Sequence, residues 1–94
     1  MRTKYKLVMK PLNSDNPETM RIYKMVCDAC ERFNIYVMDF FETLAILEEK
    51  EAKGLADDET EKSIESVLSR IEEVSTAMKE IASTMSSLVE LEEI

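Results

Sequence analysis

The chain of 94 residues has no histidine and no tryptophan, one glycine, two prolines and two cysteines. Each shortage excludes something. Without histidine there is no side chain whose ordinary pKa lies near neutrality, and the commonest neutral metal ligand is missing. One glycine and two prolines leave few places for tight turns, so the chain must be built from long uninterrupted elements. Two cysteines three positions apart do not form the disulfide framework of a small secreted domain. No stretch reaches the run of about 18 apolar residues needed to span a bilayer. The first residues also lack the apolar core of a signal peptide. A cytoplasmic protein without membrane contact is the expectation.

Basic residues are the minority, 12 against 20 acidic, for a net charge of -8. The imbalance is uneven. Residues 1–10 hold Arg2, Lys4, Lys6 and Lys10 and no acid, so the rest carries -12, the difference between -8 and +4. A polyanionic body argues against nucleic acid as a partner, because phosphate-backbone binding needs a clustered basic face.

What is present is periodicity. Tyr23, Val26, Cys30, Phe33, Val37, Phe40, Leu44 and Leu47 step by three and four without a slip. So do Ile64, Val67, Ile71, Val74, Met78, Ile81, Met85 and Leu88. That alternation keeps one seam of a helix facing a partner helix. Asn16 and Pro17 suit the cap and first position of a helix over about 17–53. Gly54 suits a left-handed residue at the bend 54–58, and Asp58 with Glu61 resembles a capping box for a second helix over about 59–92. Each helix would be about 52 Å long, and the short bend makes the two antiparallel neighbours.

Ahead of the hairpin, residues 1–15 form a basic arm. Tyr5, Leu7 and Met9 alternate with Lys4, Lys6 and Lys10, a period of two that reads either as a short strand ended by Pro11 or as a solvated tail. A strand there would need a symmetry-related copy or a helix face to lie on.

The first helix is the greasier one. Beyond its seam it carries Ile22, Met25, Cys27, Ala29, Ile35, Tyr36, Met38, Phe41 and Ile46. One antiparallel partner cannot cover apolar surface on several sides. The expected architecture is therefore all-α: a long helical hairpin with a strand-like arm, self-associating as a homodimer in a four-helix or larger bundle. The interface is expected at Ile22, Met25, Cys30, Phe33, Val37, Phe40, Phe41 and Leu44.

Chemistry-bearing residues are few. Cys27 and Cys30 could supply two thiolates to zinc, with four only if two chains meet. As a redox pair they lie about three turns inside the helix, away from the N-terminal dipole that lowers a thiol pKa. Both read first as small core residues. Asp28, Glu31, Asp39 and Glu42 fall outward, where no inward carboxylate cage can form. Asn34 flanks the seam, where an amide can set helix register or simply reach water. Arg32 and Arg70 have no assembled acid–base partner. The expectation is a non-enzymatic interaction or assembly protein without cofactor, whose partners are itself and another protein. The alternatives are a cysteine-based metal- or redox-responsive regulator and an acidic, antitoxin-like or nucleic-acid-mimicking inhibitor of a basic partner.

Overall fold

The computed structural model describes residues 3–94; Arg2, one of the four cations of the arm, lies outside them. The elements in order are β1 (Tyr5–Met9), α1 (Pro17–Ala52), α2 (Asp58–Thr84) and β2 (Val89–Glu93). Two long helices form a hairpin, and the two strands pair antiparallel over it.

α1 starts where local chemistry permits. The Asn16 side chain accepts from the backbone N–H groups of Glu18 and Thr19 at 2.9 and 3.2 Å, and Pro17 gives up no needed donor at the first position. Its end is a full Schellman arrangement. Leu55 N donates to Lys50 O at 3.1 Å and Gly54 N to Glu51 O at 3.0 Å, with Gly54 at φ 72. The second cap is Asp57, one residue before the expected Asp58. Its carboxylate accepts from both the N–H and the hydroxyl of Thr60, each at 2.8 Å. Thr60 is buried, so the doubly bonded pair outcompetes an exposed Asp58–Glu61 box.

The larger correction is the end of α2. The heptads predict a helix to about residue 92, yet it stops at Thr84 and the chain returns as β2. Ser83, Thr84, Ser86 and Ser87 are weak helix formers, the last turn of α2 holds no basic residue, and Glu90, Glu92 and Glu93 would oppose the dipole. A turn held by Leu88 N and Val89 N on Met85 O redirects the chain. From there Val89 and Leu91 alternate with Glu90 and Glu92, a strand pattern. The fold is a helical hairpin with a two-stranded sheet rather than purely helical.

β1 thus finds its partner in its own chain. Tyr5 faces Glu93, Leu7 faces Leu91 and Met9 faces Val89. Lys10 N on Leu88 O and Ile94 N on Lys4 O extend the ladder at both ends. By the alternation of an antiparallel pair, Lys6 and Val8 then bond across to β2, and the backbone groups of Leu7 point to the open edge. Leu7 and Val89 are buried with Cys30, Val37, Phe41, Leu44, Ile71 and Met78 in one core between sheet and helices.

The molecule measures 58 × 18 × 17 Å with a radius of gyration of 16.9 Å. A compact chain of this length would have a radius near 12 Å. The sheet covers only part of the hairpin, and residues 45–63 project beyond the core as a two-helix stalk.

Candidate interaction surface

The arm is tied down along α1, running opposite to it. Lys4 Nζ lies 5.1 Å from the ring centre of Phe41, Leu7 meets Asn34, and the Tyr23 hydroxyl donates to Lys10 O at 2.7 Å. Asn34 does the decisive bonding. Leu7 N donates to Asn34 Oδ1 at 2.8 Å, and Asn34 Nδ2 donates to Leu7 O at 2.9 Å. A carboxamide carries the same donor–acceptor pair as a peptide, so Asn34 closes the open edge of β1 as a third strand would. It sets the position of the strand on α1 and not the register between helices. Toward α2, Lys79 Nζ lies 5.2 Å from the ring centre of Tyr5, and Lys10 Nζ donates to Ser86 O at 2.6 Å.

Cys27 is partly buried and Cys30 buried, both as free thiols. Burial pushes the Cys30 thiol above its ordinary pKa, and the neighbouring Cys27 adds to the shift. A raised pKa is the opposite of an activated nucleophile. Among the described residues no three His, Cys, Asp or Glu side chains gather as a metal ion would require. Asp28, Glu31, Asp39 and Glu42 all lie exposed, as do Arg32 and Arg70, and neither arginine has an ion pair among the described residues.

The eight residues expected at an interface divide. Cys30, Val37, Phe41 and Leu44 are buried within the chain itself, and Phe33 and Phe40 pack partly against the same core. The sheet explains part of this, since it covers the Phe41 side of α1 that a second chain was expected to cover. Ile22 and Met25 stay 47% and 60% exposed, and Tyr36 and Ile46 join them at 54% and 68%. Among the described residues no chemical groups gather into a reactive cluster, while a long strip of α1 carrying apolar side chains lies in solvent.

Two depressions in the surface are shallow. One, of about 360 Å³, lies over Ser69, Glu72, Glu73 and Thr76, four polar side chains of one helix with no second wall. The other, about 290 Å³, is lined by Ala77, Glu80, Ile81, Thr84 and Met85. Ligand sites begin near 300 Å³ and enclose their occupant; both of these are open.

The sequence missed two features. The strand at residues 89–93 was signalled by Val89 and Leu91 alternating with glutamates, and by Glu92 matching Lys6, which it faces at 3.9 Å. The role of Asn34 as an edge cap had no local signal, because its partner is 27 positions away.

Among the described residues no helix is long and apolar enough to cross a membrane. No protein-family model matches the chain, and comparison with curated proteins and with solved structures returns no match.

Proposed function

We propose that this chain is a non-enzymatic assembly module that works by associating with copies of itself through helix surface, forming a helical bundle that can present its remaining faces to another protein. The observation that carries this reading is the apolar side-chain surface that α1 leaves exposed, on a chain with more surface than a compact monomer. The chain exposes 6837 Å². A compact monomer of 10.9 kDa exposes roughly 5,600 Å². The excess, roughly 1,200 Å², is larger than the ~800 Å² that each partner contributes to a standard interface. Much of the exposed apolar side-chain surface lies on one helix, including Ile22, Met25, Tyr36 and Ile46. Scattered apolar residues need no explanation, but a strip along one helix is what partner surfaces look like.

Sedimentation equilibrium over a micromolar concentration series tests this. The expected mass is a multiple of 10.9 kDa that falls on dilution. A mass of one chain at every concentration would overturn the reading.

A further inference from the structure

Exposed apolar residues spread around the outer side of α1, Ile35 and Met38 among them, and one line of them has a definite spacing. Ile22, Met25, Ala29, Tyr36 and Ile46 are all exposed, and the steps between them are filled by exposed Arg32, Asp39 and Thr43. Together these positions advance by 3, 4, 3, 4, 3, 4 and 3, a second heptad stripe on α1. It is distinct from the seam that faces α2. Ala29, Tyr36 and Thr43 each stand one residue before a buried one, Cys30, Val37 and Leu44. The stripe is therefore turned about 100° from that seam, and Tyr36 is turned roughly 200° from Asn34. It faces away from the sheet, so a partner can approach without meeting the arm.

The order of steps reads the same from either end. A helix laid antiparallel on the stripe, centred at position 34, brings every position opposite another member of the stripe. Ile22 then meets Ile46, Met25 meets Thr43, Ala29 meets Asp39 and Arg32 meets Tyr36. The charges choose between the two directions. In a parallel pair each residue would face its own copy, placing Arg32 on Arg32 and Asp39 on Asp39 in the middle of an apolar seam, where like charges repel. In the antiparallel pair Arg32 lies over the Tyr36 ring of the other copy and one turn from its Asp39, a cation–π contact and an ion pair, each made twice.

Resting on the self-association proposed above, we infer that the partner of this stripe is the same stripe of a second copy, antiparallel, with the two-fold axis beside position 34. The surface excess of the whole chain leaves room for such a contact. The result is a four-helix arrangement with the two sheets on its outer sides.

Engineered cysteines test the geometry in a Cys27→Ser background, where the remaining native thiol, Cys30, is buried. Ile22 and Ile46 are roughly 36 Å apart along one helix, so they cannot link within a chain. Carrying Ile22→Cys and Ile46→Cys together, the protein should oxidise to a covalent dimer, and either substitution alone should not. A covalent dimer from Ile22→Cys alone would mean a parallel contact and overturn the inference. No link from the double variant while sedimentation still shows a dimer would also overturn it, and would leave self-association standing. A monomer at all concentrations would remove both. Charge reversal gives a second reading: Arg32→Glu or Asp39→Arg alone should weaken the dimer by about tenfold or more, and the two together should restore the ion pair and part of the association, though not the contact with Tyr36. Failure of the pair to restore association would count against the antiparallel register.

Discussion

The part of the hairpin under the sheet and the stalk beyond it consist of the same two helices with the same heptad spacing, yet they bury very different amounts. Under the sheet lie Cys30, Val37, Phe41, Leu44, Ile71 and Met78, with Leu7 and Val89 closing over them. In the stalk, among the described residues, only Thr60 is buried, while Ile46 and Leu55 remain mostly exposed. Two helices side by side cover one stripe each and leave their flanks wet. A third layer turns the stripe into a core. The difference shows that a perfect heptad does not by itself make a stable pair; stability follows what lies over the seam. Local opening should therefore begin at the bend, and amide exchange should be slowest under the sheet.

Four substitutions break or sharpen that contrast. The largest effect is expected from Met78→Ala, since Met78 has no exposed surface. Removing it opens a cavity under the sheet and should cost about 2–5 kcal/mol by denaturant unfolding. Leu55→Ala in the stalk, 64% exposed and outside the proposed contact, should cost far less, and an equal loss would mean that the two halves are not distinct. Next is Asn34→Ala. It strands the N–H and C=O of Leu7 at a half-covered edge, a penalty of about 1–3 kcal/mol. The loss should appear as faster amide exchange at Leu7 with the helical circular dichroism largely kept. Loss of the helices as well would show that the sheet is needed for the hairpin to form.

The smallest effect is a pH dependence confined to the stalk. The Thr60 hydroxyl, and then the Thr60 N–H, hold the Asp57 carboxyl below its ordinary pKa. A lowered folded-state pKa means the ionised cap adds stability above the unfolded carboxylate pKa, and that stability is lost as pH falls through the lower folded value. Exchange at the first turn of α2 should accelerate on acidification through that range. Asp57→Asn keeps a capping oxygen but cannot titrate, so its exchange there should be flatter with pH. An unchanged pH profile in that variant would assign the acid sensitivity to other carboxylates.

Much of this architecture was legible along the chain. Asn16 with Pro17 and Gly54 marked the ends of α1, and the heptads from Tyr23 and from Ile64 marked the faces that meet. These are local facts, because a cap, a left-handed glycine and a helical period each depend on residues within a few positions of one another. The alternation at Tyr5, Leu7 and Met9 was equally visible, but not what it paired with.

What the tertiary structure decided is non-local. Residues 5–9 and 89–93 are each too short to be stable alone, and neither sequence names the other. The C-terminal segment also continued the helical pattern as far as Leu88, so local reading favoured a longer helix. Only in the folded chain does β1 offer it a ladder, and Asn34 a closed edge behind that ladder. The same event covers the Phe41 side of α1 and leaves the Tyr36 side bare. The sequence by itself determined two helices and one seam. The sheet decided which further face of α1 is satisfied within the chain and which is left for a partner, because burial depends on where distant segments come to rest and not on period alone.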